Sequence, residues 1–183
     1  MRISLWPAFT AAEPEAFALS IGVFDGVHRG HQILIEKIVK KGPNPTILTF
    51  RENPKKVLRP ETFSGDIYSL NRKLSLFEQL GVEETVLIDF SGDFATMEGE
   101  TFIRILCTRG LSYLVVGNDF RCGHARDTGV KEIKKQCIES GAVIEVVAPV
   151  YVGTEPVTSS RIRNTIRTGN LEEASLLLGR TYP

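Results

Sequence analysis

Sulfur-containing and indole side chains are scarce in this chain of 183 residues, which has 3 cysteines, 2 methionines and 1 tryptophan. Cys107, Cys122 and Cys137 are widely spaced and form no CxxC pair. They therefore provide no framework for a zinc ion or a set of disulfides, and we expect no resident metal. Reduced thiols are the simplest interpretation of these cysteines, and they favour a cytoplasmic localisation.

Long hydrophobic runs and net charge are also missing. No apolar stretch approaches the ~20 residues that a membrane-spanning helix needs. The N-terminal MRISLWPAFTAAEPEAF has no continuous apolar core and is a poor signal peptide. Lysine plus arginine and aspartate plus glutamate number 22 each, so the formal net charge is zero. We expect neither nucleic acid nor a membrane as a partner, and the oligomeric state stays open.

Strand-like apolar runs alternate with helical patterns along most of the chain, whose length suits one globular domain. The patterns predict strands over 16–24, 46–50, 85–90, 111–117 and 142–150, and helices over 31–41, 69–81, 99–110, 130–141, 159–169 and 170–179. This alternation predicts an α/β fold with a mostly parallel sheet and helices on both faces.

Segments that follow the strands are the places to look for a site, because ligands bind beyond the carboxyl ends of parallel strands. One of these segments runs from Arg51 to Asp66 and contains Pro54 and Pro60. We interpret it as a flap or loop and not as a linker, since the helix–strand alternation resumes directly after it.

The junction DGVHRGH places His28 and His31 around Gly30, between a strand and a helix. A glycine allows close approach of a ligand to the backbone, and a helix start offers free N–H groups with a positive dipole end. These features favour a phosphate site in which the histidines donate hydrogen bonds. The alternatives are a turn with two surface histidines and, less favoured, a metal site. We expect Asp25 to shape the turn.

A second helix start lies in VTSSRIR, residues 157–163. One of its three hydroxyl residues is expected to cap the helix, and the others add donors for phosphate: Thr158, Ser159 and Ser160. Arg161 and Arg163 are two positions apart and do not share a helix face, so at most one of them points squarely into a site.

A third candidate is VVGNDFRCGHARDTG after the strand that ends at Gly117. Asp119 could accept a hydrogen bond from adenine or ribose, or hold Mg²⁺ through water, and its alternative role is to cap a turn. The chain contains neither GxxxxGK[ST] nor GxGxxG, which excludes an ordinary P-loop kinase and disfavours a dinucleotide dehydrogenase.

Together these segments resemble the HxGH nucleotidyltransferase superfamily and, more narrowly, the FMN adenylyltransferase module of bacterial bifunctional riboflavin kinase/FAD synthetases. The motifs that carry the resemblance are GVFDGVHRGH at 22–31, VVGNDF at 115–120, VTSSRIR at 157–163 and GNLEEASLLLGRTYP at 169–183. The resemblance runs nearly end to end and implies a Rossmann-like nucleotidyltransferase fold.

The resemblance implies that the chain transfers AMP from ATP, with Mg²⁺, to FMN, giving FAD and pyrophosphate. The catalytic positions that it implies are His28, His31, Asp119, Ser159 and Arg163. It also implies nucleotide- and flavin-binding positions at Gly22, Val23, Phe24, Asp25, Gly26, Gly30, Phe50, Asn53, Gly117, Thr158 and Ser160. His31 is expected to make the transition-state contact, and Arg163 is preferred over Arg161.

Two departures from the family pattern affect the flavin side. FRENP stands at 50–54, where the family has F-x-P-H-P, so Glu52 and Asn53 replace a proline and a histidine. Cys122 stands where the family has a phenylalanine. These changes keep two alternatives open, which are transfer to a different phosphorylated acceptor and a non-catalytic flavin or nucleotide sensor.

The chain reaches GRTYP, where the riboflavin kinase module of the bifunctional proteins begins. We expect no kinase β-barrel within these 183 residues, which are either a stand-alone adenylyltransferase or a piece of a longer protein. We therefore expect one adenylyltransferase domain over 1–183, with FMN rather than riboflavin as its flavin substrate.

Overall fold

The computed structural model describes residues 1–90 and 92–182. Its strands are β1 (Arg2–Leu5), β2 (Phe17–Ile21), β3 (Thr46–Phe50), β4 (Glu84–Ile88), β5 (Leu111–Gly117), β6 (Arg121–Cys122), β7 (Thr128–Gly129), β8 (Val143–Val147), β9 (Tyr151–Val152) and β10 (Glu155–Pro156). Its helices are α1 (Trp6–Ala11), α2 (Arg29–Lys41), α3 (Pro54–Leu58), α4 (Leu70–Gln79), α5 (Gly92–Ala95), α6 (Gly99–Thr108), α7 (Val130–Glu139), α8 (Ser159–Arg167) and α9 (Leu171–Leu178).

One six-stranded sheet, in the order β1-β4-β3-β2-β5-β8, organises the molecule, and all of its pairings are parallel. The two small ribbons, β6-β7 and β9-β10, are antiparallel. From β2 the chain proceeds through β3 to β4 on one side, whereas β5 and β8 lie on the other side. The sheet therefore reverses its direction of growth between β2 and β5, and a crevice forms at their carboxyl ends.

Apolar side chains bury both faces of the sheet, as predicted for a parallel sheet. On one face α6 and α7 pack through Ile103, Leu106 and Ile133, and on the other α2 and α4 pack through Ile38 and Phe77. A smaller cluster joins α8 and α9 to the end of the 51–66 segment; it consists of Ile67, Val157, Ile162, Leu177 and Leu178. The α/β prediction with helices on both faces is confirmed.

The helix and strand predictions differ from the structure mainly at the ends. The predicted strand 16–24 stops at Ile21, because Phe24 and Val27 take positive φ values of 52° and 43° in the following turn. The predicted loop 51–66 contains α3 and a 3₁₀ turn at Pro60–Thr62, because Asn53 caps α3 and Pro54 occupies its first turn.

The first two elements, β1 and α1, were not predicted from the sequence. β1 is a short edge strand with mostly exposed residues, and α1 has one buried residue, Phe9, and no side-chain cap. Neither element carries the periodicity or the capping signal on which a sequence reading depends. No helix within 1–90 and 92–182 is long and apolar enough to cross a bilayer.

Candidate nucleotide site

His28 is the N-cap of α2, and its Nδ1 accepts a hydrogen bond from the backbone N–H of His31 at 3.4 Å. A ring nitrogen that accepts must carry a lone pair, so the proton of the neutral imidazole resides on Nε2. The local sequence therefore fixes the tautomer and leaves one N–H of His28 available to a ligand.

His31 stacks on His28, with ring centroids 3.6 Å apart and ring planes inclined by 17°. On its other side it lies 5.1 Å from the ring of Phe24, which is itself buried in the core. The Nδ1 atom of His31 is buried and has no hydrogen-bond partner among the described residues. An unsatisfied buried polar atom beside a helix N-terminus is a feature that a bound ligand would complete.

Burial and, to a smaller extent, the positive charge of Arg180 together lower the pKa of His28 to about 4. Burial also lowers the pKa of His31 well below its usual value, with smaller contributions from His28, Lys73 and Arg180. Both rings are therefore neutral near pH 7 before any anion binds. A phosphate group beside them would stabilise the protonated forms and raise both pKa values.

The turn that precedes α2 is strained. Phe24, Gly26 and Val27 have φ values of 52°, 82° and 43°, and a positive φ is a genuine outlier for a β-branched residue such as Val27. The Val27 carbonyl accepts from Gln32 Nε2 at 2.8 Å and from Arg180 Nη1 at 2.9 Å. Contacts from α2 and from the segment after α9 therefore hold this backbone.

Asp25 ties the turn to two other parts of the chain. Its Oδ1 accepts from the Ile67 N–H at 2.8 Å, and its Oδ2 accepts from Arg163 Nη2 at 2.6 Å. Its backbone carbonyl accepts from Ser159 Oγ at 2.9 Å. Burial raises the pKa of this carboxyl group, and the Ile67 and Arg163 contacts oppose that rise. The interpretation of Asp25 as a residue that shapes the turn agrees with this geometry.

The start of α8 faces the same turn. Thr158 is the N-cap, since its Oγ1 accepts from the Arg161 N–H at 3.1 Å, and Ser160 is exposed. Arg163 reaches Asp25, whereas Arg161 turns away and pairs with Glu173 at 2.8 Å. The two arginines thus lie on different faces, and Arg163 is the one that borders the turn.

The other predicted positions lie at the ends of neighbouring strands. Asp119 is exposed in the turn after β5. Its Oδ1 lies close to Gly117, because a Cβ added to that glycine would be 3.1 Å from it. Cys122 packs against the core shared by α6 and α7, and burial raises its pKa to about 12, so it is no reactive thiolate. Neither side chain contacts the histidines directly.

The side chains after β3 serve local structure. Asn53 is buried, accepts from the Lys55 N–H at 3.1 Å as the cap of α3, and donates to Asp66 Oδ1 at 3.1 Å. Phe50 packs edge-on against Phe90 at 5.8 Å. Val23 borders a small cavity together with Asn53 and Asp66, while Gly22 donates its N–H to β3 at the Leu48 carbonyl, 3.1 Å away.

Lys73 is a site residue that the sequence reasoning missed. It is 9% exposed, and its Nζ lies 3.2 Å from each of three acceptors: the Val23 carbonyl, Thr49 Oγ1 and the Phe50 carbonyl. It thereby ties the end of β2 to the end of β3. Burial lowers its pKa to about 8. Its position within α4 gave no signal, because it looks like an ordinary helical lysine.

No group of three or more His, Cys, Asp or Glu side chains in the described part of the chain is placed to hold a metal ion. The groups that converge on the turn are imidazole rings, the guanidinium groups of Arg163 and Arg180, hydroxyls, the Asp25 carboxylate and the N–H groups of two helix starts. Such a set suits phosphate oxygens.

A parallel sheet with paired histidines at a helix start, next to the strand where growth reverses, defines an α/β protein with a fold of the nucleotidyltransferase type. The chain belongs to the FAD synthetase family, whose model matches residues 10–161.

Relatives of known activity support this assignment. The chain is 30% identical over 172 residues to a bifunctional riboflavin kinase/FMN adenylyltransferase of Buchnera aphidicola, covering 90% of this chain and 55% of the relative. It is 28% identical over 177 residues to the Escherichia coli K12 protein of the same name, covering 93% and 56%. The chain thus spans about half the length of the curated relatives it matches.

Solved structures support the fold. A Streptococcus pneumoniae structure titled as a macrolide-efflux protein superposes with a TM-score of 0.82 at 26% identity, covering 100% of this chain and 63% of that one. A Francisella tularensis pantoate-beta-alanine ligase superposes with a TM-score of 0.58 at 14% identity, covering 98% and 85%. The second likeness concerns the fold alone.

Proposed function

We propose that this chain is an FMN adenylyltransferase that transfers AMP from ATP to FMN, giving FAD and pyrophosphate. The observation that carries the proposal is the His28–His31 pair at the start of α2, with rings 3.6 Å apart, in a member of the FAD synthetase family. The proposal includes Mg²⁺ as part of the ATP substrate complex.

The reaction makes modest demands on the protein. A phosphate monoester has a second pKa of about 6, so the FMN phosphate is largely a dianion at neutral pH and needs no general base. One of its oxygens attacks the α-phosphorus of ATP, the bond from that phosphorus to the β-bridging oxygen breaks, and pyrophosphate leaves with the electron pair. The protein has to align two anions and stabilise charge on the α-phosphate and the leaving group.

In this proposal the start of α2 and both histidines bind the ATP phosphates. His28 donates through Nε2–H, because its Nδ1 is occupied by the helix cap. His31 makes the transition-state contact, and Ser159 and Arg163 border the same phosphates from the α8 side. Asp119, at the carboxyl end of β5, lies where the crevice opens and is assigned to the nucleotide and flavin phosphate.

The direct test is incubation of the purified chain with ATP, Mg²⁺ and FMN, with separation of FMN from FAD by chromatography. Riboflavin is the parallel substrate. We expect FAD from FMN and no flavin product from riboflavin. If the folded protein binds ATP but makes no FAD, the proposal is wrong.

A different phosphorylated acceptor is the second candidate, and the local structure after β3 favours considering it. Asn53 is buried as the cap of α3, so this loop is not arranged around the histidine typical of the family. Thermal shifts with a panel of phosphorylated acceptors and Mg-ATP compare the two candidates, since a ligand that binds the native state raises the melting temperature. Stronger stabilisation by another acceptor than by FMN would favour the alternative. Binding of both substrates without turnover would indicate a sensor.

All of the residues assigned to the reaction lie within the one sheet-based unit described above. We propose that 1–183 acts as a single adenylyltransferase domain and that the reaction takes place in the cytoplasm. The three cysteines, all free in the structure, are compatible with a reducing compartment.

A further inference from the structure

Arg180, in the segment after α9, reaches across to the turn before α2. Its Nη2 donates to the Gly26 carbonyl, and its Nη1 donates to the Val27 carbonyl at 2.9 Å and to the Leu178 carbonyl at 3.3 Å. Its guanidinium carbon lies 5.2 Å from the centre of the Tyr68 ring, which stacks on Tyr182. Arg180 thus lies between the candidate site and the Tyr68 ring.

The carbonyls that Arg180 holds belong to the turn, where β-branched Val27 is strained at a φ of 43° while Gly26 adopts its φ of 82° without strain. Strain of this kind costs on the order of 1–3 kcal/mol per residue and persists only where neighbouring groups hold the backbone. The next residue is His28, the cap of α2. Any relaxation of Val27 would therefore rotate the start of α2 and both imidazole rings with it.

Partial burial of the Arg180 guanidinium costs free energy, which makes it a poor device if its only role is to stabilise the fold. Its guanidinium is partly buried, burial lowers its pKa, and its Nε is buried without a hydrogen-bond partner among the described residues. No carboxylate of residues 1–90 and 92–182 pairs with it within 4.0 Å. Partial burial of a cation that lacks an acidic partner is unfavourable, and for Arg180 the compensating contacts are carbonyls of the turn, of Leu178 and the Tyr68 ring.

We propose that Arg180 is a positioning residue for the adenylyl transfer, holding the carbonyls of Gly26 and of the strained Val27 so that His28 and His31 face the ATP phosphates. The inference rests on the proposed function. Its positive charge also lies near both histidines, makes a small contribution beside burial to keeping them neutral in the free protein, and adds to the attraction for an anionic nucleotide. Within the described residues no other group replaces the fork of two N–H donors that reaches both carbonyls, since Gln32 donates to the Val27 carbonyl but not to the Gly26 carbonyl.

The test compares Arg180→Met and Arg180→Lys with wild type by two readouts. The first is the imidazole NMR signals of His28 and His31 as a function of pH. The second is kcat/KM for FAD formation. The charged and polar groups facing the two rings are Lys73 from α4, Arg180 itself and each other, so loss of the guanidinium in Arg180→Met is expected to raise both pKa values.

We expect kcat/KM to fall roughly 100-fold in Arg180→Met, the order of loss that misplacement by about 1 Å causes. Arg180→Lys keeps the charge but cannot reproduce the fork. Arg180→Lys is therefore expected to leave the pKa values of His28 and His31 low. The imidazole chemical shifts and the kcat/KM of this variant should still depart from wild type. This variant keeps the test decisive if Arg180→Met fails to fold.

Arg161→Met is the matched control. Arg161 is also a partly buried arginine of this region and donates to the Val152 carbonyl at 3.2 Å and the Glu155 carbonyl at 3.0 Å, but it makes no contact with the turn. We expect it to lower stability and leave the imidazole signals in place. Unchanged imidazole signals in Arg180→Lys, or equal changes in Arg161→Met, would overturn the proposal. If wild type forms no FAD, the proposed function is wrong, and the NMR readout still tests the positioning of the histidines.

Discussion

A single imidazole, His31, combines the features that the proposed chemistry needs. It lies in the first turn of α2, stacks on His28 at 3.6 Å, and has a buried Nδ1 without a partner among the described residues. The residues that bury it also keep it uncharged near pH 7. Its contribution to the fold is limited to its ring contacts, whereas its contribution to the transition state would be electrostatic.

His31→Ala is therefore expected to lower kcat for FAD formation about 100-fold, the usual effect of removing one donor from a transition-state site. Its free energy of unfolding should change by no more than about 2 kcal/mol, because only a half-buried ring is lost. Steady-state kinetics and urea unfolding measure the two effects. His124→Ala is the matched control, since His124 is exposed and bonds only to the Ala95 carbonyl through its ring. Normal turnover in His31→Ala would contradict the role.

Lys73 gives a second prediction at this scale. Its folded-state pKa of about 8 is lower than the usual value near 10.5, so the unfolded chain binds the proton more tightly. A depressed pKa contributes stability above the unfolded value, and this contribution is lost as the pH falls through about 8. Between pH 8 and pH 10 wild type should therefore gain stability relative to Lys73→Met, by up to about 1.4 kcal/mol per pH unit. Urea unfolding at pH 7.5, 8.5 and 9.5 tests this, and parallel pH curves for the two proteins would contradict it.

The residues of the site differ in how well the sequence predicts them. His28 and His31 are recognisable because a glycine, a strand end and a helix start occur within a few positions of them. Lys73 and Arg180 are not recognisable, because one lies within a regular helix and the other follows one. Both reach the site through contacts between segments that are 50 and 153 residues apart in sequence. No local pattern encodes such contacts.

At the scale of the element, α2 depends on a side chain that is also assigned to the chemistry. A histidine is an unusual N-cap, because Asn, Asp and Ser are preferred there. A weaker cap such as His28 is understandable at this position if its Nε2–H donates to the ATP phosphates. Stability and activity should therefore respond differently to substitutions at this position.

His28→Asn is expected to be more stable than His28→Ala by about 1 kcal/mol, because asparagine restores the cap of α2 and alanine does not. Both variants should lose turnover to a similar extent, since neither offers an imidazole N–H. Thermal unfolding and FAD formation, measured on the same preparations, check the two statements. Equal stability of the variants would mean that the cap bond at 3.4 Å contributes little.

The helices and strands were predictable where burial of one face imposes a regular spacing on their apolar residues. α2, α4, α6 and α7 begin and end within about two residues of the predicted helices. β1 and α1 were missed because they bury little. The end of β2 was placed too late because Val23 and Phe24 continue its apolar pattern, while the turn that follows depends on contacts with Arg180 and Gln32.

At the scale of the whole molecule, the site lies where independently packed layers meet. α2 packs on one face of the sheet, and β5 is a strand next to which the sheet reverses its direction of growth. α8 packs with α9 in the third apolar cluster. At this junction His28 is buried and His31 is partly buried, so their protonation is coupled to folding of the whole chain. As the pH falls, the protein should therefore lose stability at pH values above those at which unperturbed carboxyl groups titrate.

The folded-state pKa of His28 is about 4, whereas an unfolded histidine titrates near 6.5. A depressed pKa stabilises the fold above pH 6.5, and this stabilisation is lost as the pH falls toward 4. His31 acts in the same direction, and Asp25, with its raised pKa, acts in the opposite direction. Wild type should thus lose stability between pH 6.5 and pH 5, by up to about 1.4 kcal/mol per pH unit for each fully coupled histidine.

His28→Asn isolates the contribution of His28, because it retains a cap for α2 and cannot titrate in this range. We expect its free energy of unfolding to fall less steeply than that of wild type between pH 6.5 and pH 5, as measured by urea unfolding at closely spaced pH values. ATP should delay the acid loss in wild type if phosphates stabilise the protonated rings. Identical slopes for the two proteins would show that the buried histidines are not what couples this fold to pH.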